Sequence, residues 1–111
     1  CLTHLTLGYE FNQSLEIPPN IKILTLNCNN INLIENLPNS IEELNLGYHF
    51  DLELSNLPNS IKKINFHKDG YYNKDLNNLP KQLETIQIPW RYNKEIININ
   101  QKCEIFTFIP C

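Results

Sequence analysis

A period of about twenty residues constrains this chain more than any other feature. The pattern apolar-x-x-apolar-x-apolar occurs at Leu2/Leu5/Leu7, Ile21/Leu24/Leu26, Ile41/Leu44/Leu46, Ile61/Ile64/Phe66, Leu83/Ile86/Ile88 and Cys103/Phe106/Phe108. The first positions are 19, 20, 20, 22 and 20 residues apart, so the 111 residues are almost wholly repeat. Such periodicity marks a solenoid, in which each unit buries its apolar face against its neighbours.

Within one period, Leu44-Asn45-Leu46 alternates apolar and polar, as a short strand with one buried face does. One strand per repeat predicts a parallel sheet with neighbours about 4.8 Å apart. The aliphatic side points inward and the other forms an exposed concave face. The return path is too short for an ordinary helix. Pro18, Pro38, Pro58 and Pro80 each stand three residues before the next first position. Proline lacks an N–H and fixes φ, which suits an extended convex segment and opposes a helix. A second landmark follows most strands: Phe11-Asn12, Phe50-Asp51, Tyr72-Asn73 and Tyr92-Asn93, each with an aliphatic three residues further on. The aromatic is expected to plug the core at a corner, with the Asn or Asp bonding to nearby backbone.

The stretch from Leu5 to Pro18, Leu-x-Leu-Gly-Tyr-x-Phe-Asn-Gln-x-Leu-x-Ile-Pro, resembles the FNIP repeat of the leucine-rich-repeat class. Leu24 to Ile31 resembles the general leucine-rich pattern, with Asn29 at its usual Asn position. The resemblance covers nearly the whole chain and weakens at Asn100 and Cys103, where Pro and Ile or Leu are expected. It implies a leucine-rich-repeat-like solenoid: one parallel sheet of about six short strands on the concave face, and a convex side of extended and turn segments with little or no helix. Residues 1–111 are read as a single repeat domain, a segment of a longer protein. The resemblance also implies protein interaction. Relatives in amoebae and their large viruses often carry an F-box segment that recruits a ubiquitin-ligase scaffold.

The register sorts the exposed residues into columns. Thr3, Lys22, Glu42, Lys62, Glu84 and Glu104 form one, its signs alternating from Lys22 to Glu84. His4, Ile23, Glu43, Lys63, Thr85 and Ile105 form the next, and Thr6, Thr25, Asn45, Asn65, Gln87 and Thr107 the third. Tyr9, Tyr48 and Trp90 share a rim column two residues past the last apolar strand position. Opposite charges and polar pairs across strands stabilise a sheet by a few tenths of a kcal/mol. The same face is the candidate docking surface: His4, Thr6, Ile23, Thr25, Glu43, Asn45, Lys63, Asn65, Thr85 and Gln87, with Tyr9, Tyr48 and Trp90 as anchors at its rim.

No catalytic constellation emerges. There is no Gly-x-Ser-x-Gly elbow and no Gly-rich phosphate loop, and acidic residues are spread rather than paired. His49, His67, Asp51 and Asp69 fall in turns, without the convergence a metal needs. Cys28 and Cys103 lie four strands apart, roughly 19 Å at sheet spacing, whereas a disulfide needs Cα atoms within about 7 Å. Cys1 and Cys111 fit no better, so four reduced thiols and a cytoplasmic setting are expected. A net charge of −3 disfavours nucleic acid. No run approaches the roughly 18 apolar residues of a membrane helix. The expectation is a protein partner, with no nucleic acid, membrane, small-molecule substrate, cofactor or metal, and no enzymatic activity in this segment. Two function classes stay open. One is a recognition solenoid, extending to the substrate-binding part of a ubiquitin-ligase adaptor; the other is a structural spacer.

Overall fold

The computed structural model describes residues 3–8, 17–27, 36–48, 50–54, 57–76, 79–94, 96 and 101–107. Six four-residue strands follow in chain order: β1 His4–Leu7, β2 Ile23–Leu26, β3 Glu43–Leu46, β4 Lys63–Phe66, β5 Thr85–Ile88 and β6 Glu104–Thr107. They form one sheet in sequence order, every neighbouring pair parallel. No helix occurs among the described residues. The chain is thus a β-solenoid.

Each repeat begins with a proline turn. Ile21, Ile41, Ile61 and Leu83 donate their N–H groups to the carbonyls of Pro18, Pro38, Pro58 and Pro80 at 3.2, 3.4, 3.3 and 3.2 Å. The proline needs no donor there, since the turn uses only its carbonyl. Ser40 and Ser60 hydroxyls then donate at 2.7 Å to the Ile21 and Ile41 carbonyls of the preceding repeat. These bonds tie one turn to the next and satisfy part-buried acceptors.

The turns deliver the apolar triplets to the core. Ile21, Ile41, Ile61 and Leu83 are fully buried, as are Leu24, Leu44, Ile64 and Ile86. Leu26, Leu46, Phe66 and Ile88 close the layer. Beyond the strands, Phe50, Tyr72 and Tyr92 are buried at the corner and stack on one another, with centroids 6.0 and 6.2 Å apart. The expected plug therefore forms; Phe11 lies outside the described residues. Asp51, Asn73 and Asn93 are exposed, and Asp51 reaches Lys74 at 3.9 Å. A corner-to-backbone bond is also made by Tyr92, whose hydroxyl donates to the Lys74 carbonyl at 2.9 Å.

The last strand corrects the expected register. Aligning Cys103/Phe106/Phe108 with Leu83/Ile86/Ile88 places Phe106 beside Ile86. In the structure Ile105 stands beside Ile86 and Phe106 beside Gln87, one residue out of step. A one-residue slip exchanges the faces of a strand. Phe106 accordingly lies on the open face with Gln87, and Thr107 in the inward row with Ile88. Ile105 holds the inward position next to Ile86 yet stays 46% exposed, because β6 ends the sheet.

Candidate functional surface

The open face of the sheet carries two ordered rows. His4, Ile23, Glu43, Lys63 and Thr85 are direct cross-strand partners, and so are Thr6, Thr25, Asn45, Asn65 and Gln87. These are the ten sequence-predicted positions, in the predicted columns. The rows end at Glu104 and Phe106 rather than Ile105 and Thr107, because of the slip in β6. Phe106, 46% exposed, joins Gln87, Thr85, Asn65, Lys63 and Glu43 around one shallow depression. Sequence reasoning missed it by placing it inward.

The inner polar row is bonded to itself. Asn65 Nδ2 donates to Asn45 Oδ1 at 2.9 Å, and Asn45 Nδ2 donates to Glu43 Oε2 at 3.1 Å and, more weakly, to Thr25 Oγ1 at 3.5 Å. Three strands are thereby linked across the open face. In the column before the strands, Lys22 and Glu42 pair at 3.4 Å, but both side chains are about half exposed, so the pair adds little.

The rim shows what sequence reasoning did not find. Tyr48 and Trp90 stand there, 38% and 37% exposed; Tyr9 lies outside the described residues. Tyr71, 55% exposed, comes between them and meets Tyr48 edge to face, with centroids 5.5 Å apart. Tyr48 packs the same way on His67 at 5.6 Å. The Arg91 guanidinium carbon lies 4.4 Å from the Tyr71 ring centroid and 4.6 Å from that of Trp90. The Trp90 indole Nε1–H donates to Asp69 Oδ1 at 3.2 Å. Exposed aromatics grouped in this way, with an arginine among them, have the composition of interface anchors.

Backbone chemistry explains how the cluster assembles. From the last strand residue to the corner aromatic is four residues in Leu46→Phe50 and in Ile88→Tyr92, but six in Phe66→Tyr72. The two extra residues of the 22-residue period therefore fall at this corner. Gly70 closes a turn there, its N–H donating to the His67 carbonyl at 3.0 Å, and Tyr71 projects outward before Tyr72 turns into the core. In the next repeat, Asn27, Gly47 and His67 have a counterpart in Pro89. Those three donate to the last residue of the preceding strand, at Leu7, Leu26 and Leu46. Pro89 has no N–H to give. Instead the Trp90 N–H bonds to the Lys68 carbonyl at 3.3 Å, bringing Trp90 and Arg91 beside the enlarged corner. The visible signal was the spacing of 22 among spacings near 20.

Electrostatics at the rim follow from these contacts. The hydrogen bond between the two phenols lowers Tyr71 from its ordinary value and raises Tyr48, and the Arg91 charge lowers Tyr71 further. Of the cysteines, Cys103 lies within the described residues; it is free, and burial pushes its thiol up. Cys1, Cys28 and Cys111 lie outside them, as does His49. His67 Nδ1 accepts the Asp69 N–H at 3.1 Å. No cluster of three His, Cys, Asp or Glu side chains converges among the described residues. No helix of the described structure is long and apolar enough to cross a membrane.

The FNIP Repeat family model matches the chain over residues 1–29, 11–47 and 29–69. Neither curated proteins nor solved structures gave a match.

Proposed function

The chain belongs to the FNIP repeat family, and from that premise we propose that it is a non-catalytic protein-interaction module. The observation that carries this reading is the rim cluster: Tyr48, Tyr71 and Trp90 stay exposed around Arg91 although a buried corner lies within a few residues of each. Large apolar groups left in contact with water on one rim mark an interaction site. Tyr, Trp and Arg are also the side chains that carry most binding energy at interfaces. Beside them the two rows of the open face, mixed in charge, offer a polar surround suited to another folded protein. A nucleic-acid backbone calls for uniform positive charge instead.

The finer reading is a cytoplasmic adaptor in which this solenoid holds the target while an F-box elsewhere in the parent protein binds a ubiquitin-ligase scaffold. The alternative is a structural spacer. The Thr25–Asn45–Asn65 ladder favours the spacer for those positions, because these side chains bond within the sheet.

Capture of partners on the intact parent protein separates the two. Trp90→Ala, or Asn45→Arg with Asn65→Arg, should weaken capture of a defined partner at least tenfold, while Glu53→Arg on the far side leaves it unchanged. A spacer retains every partner through all of these changes. For the adaptor, the wild-type parent should co-purify with the ligase scaffold and promote ubiquitination of the captured protein, with Trp90→Ala losing the second property and keeping the first.

A further inference from the structure

Arg91 is the chain's one arginine, set against eight lysines. It is exposed, and its guanidinium is held against two rings, Tyr71 and Trp90. Its guanidinium also donates to the Tyr71 hydroxyl, and contacts of this kind restrict the plane of the group while using only part of its five N–H donors. Among the described residues no carboxylate forms an ion pair with it. Asp69, on the same rim, is engaged by the Trp90 indole. The arginine is therefore oriented by its aromatic neighbours, yet among the described residues it meets no carboxylate that its fork geometry fits.

We propose that Arg91, clamped between Tyr71 and Trp90, receives the carboxylate of an Asp or Glu side chain on a partner polypeptide, with an apolar neighbour of that side chain resting against Tyr48 and Trp90. The proposal rests on the reading of the chain as an interaction module and names what its rim recognises. A guanidinium edge binds a carboxylate through two parallel hydrogen bonds, stronger than neutral ones. Charge complementarity selects a singly charged group. One arginine stands beside Asp69, whose negative charge opposes a phosphate carrying nearly two. The exposed phenyl and indole surface supplies the apolar contact that a free acid would leave unused.

Two unique reporters make the test direct, because the chain has one Trp and one Arg. The indole N–H of Trp90 and the Nε–H of Arg91 are followed by NMR in the full chain during titration with acetyl-Phe-Asp-amide, acetyl-Phe-Asn-amide and acetyl-Phe-phosphoserine-amide. The Asp probe should shift both signals saturably, with at least fivefold tighter binding than the Asn probe and no weaker than the phosphoserine probe. Arg91→Lys, which keeps the charge but loses the fork, should weaken the Asp probe at least fivefold while amide signals of the core strands stay in place. Equal binding of Asp and Asn, tighter binding of phosphoserine, or indifference to Arg91→Lys overturns the proposal. If the carboxylate preference fails while Trp90→Ala still releases the parent's protein partner, the interaction reading stands and only its chemistry at Arg91 falls. If partner capture ignores Trp90 and the open face alike, the interaction reading itself falls.

Discussion

Asn65 reaches across one strand to Asn45, Nδ2 to Oδ1 at 2.9 Å, and so joins β4 to β3 on a face that packing leaves open. The bond is part-buried and its acceptor is itself anchored, since Asn45 donates to Glu43 at 3.1 Å. A net hydrogen bond of this kind contributes about 0.5–1.5 kcal/mol. Asn65→Ala and Asn45→Ala should each lower stability by about that amount. A double-mutant cycle between them should return a coupling of at least about 0.5 kcal/mol, the level at which contacting residues depart from additivity. Additive losses in urea melts would mean that the two amides bond to water instead.

Tyr72 and Tyr92 stack on each other but differ at the hydroxyl. Tyr92 donates to Lys74 at 2.9 Å, whereas the Tyr72 hydroxyl is buried and makes no bond of good geometry, although the Leu54 backbone lies near it. Tyr92→Phe should therefore cost about 1 kcal/mol. Tyr72→Phe should be neutral or stabilising, because it removes a polar group that burial leaves unsatisfied. Burial, with Tyr92, Asp51 and Glu53 adding to it, holds the Tyr72 phenol well above the usual tyrosine range. The folded state thus keeps a proton that the unfolded chain releases near pH 10. Its contribution is fully present below that value and is lost as pH rises beyond it, by up to about 1.4 kcal/mol per pH unit. Tyr72→Phe should flatten the alkaline limb of a stability-versus-pH curve; an unchanged limb would refute the assignment.

Leu44 and Leu46 are almost completely buried in the middle of the sheet, and Lys22 is paired on its exposed side. Leu44→Ala or Leu46→Ala should cost about 2–5 kcal/mol, as buried leucines do. Lys22→Ala should cost at most about 1 kcal/mol. Denaturant midpoints measure both; comparable losses would place the faces of the sheet the wrong way round.

Most of the fold is legible in the sequence because one physical rule repeats. Side chains of a strand alternate faces, so Leu24/Leu26, Leu44/Leu46 and Ile64/Phe66 assign inside and outside without reference to distant residues, and the proline turn sets the phase of each period. The open-face rows follow from that register alone. The rim resisted for a different reason. Tyr71 becomes an exposed neighbour of Tyr48 only because two residues are inserted between Phe66 and Tyr72, and a column count that assumes equal periods does not bring them together. Gly47 carries a similar hidden dependence. The Asn27 side chain of the preceding repeat occupies the space a Cβ would need there, a contact between repeats that no single period displays.

The last strand is where alternation loses its power, and it gives the sharpest test. Cys103 is a weak first position, and Ile105 and Phe106 are both apolar, so either can take the middle apolar place of the pattern in β6. The structure selects the register that pairs Ile86 with Ile105 and leaves Phe106 on the open face beside Gln87, 46% exposed. Its counterpart by the pattern's spacing, Ile64 in β4, is fully buried, and the bulky Phe66 is only 4% exposed. Phe66→Ala should then cost about 3–5 kcal/mol, the range for a buried aromatic. Phe106→Ala should cost under about 1 kcal/mol, since its ring retains water on one side and leaves no enclosed cavity. Phe106→Gln should be tolerated equally well, because it extends the polar row of Asn45, Asn65 and Gln87. Equilibrium urea unfolding of the three variants reads the register directly. If Phe106→Gln destabilises the chain as strongly as Phe66→Ala, the ring is packed inward and β6 pairs one residue further along.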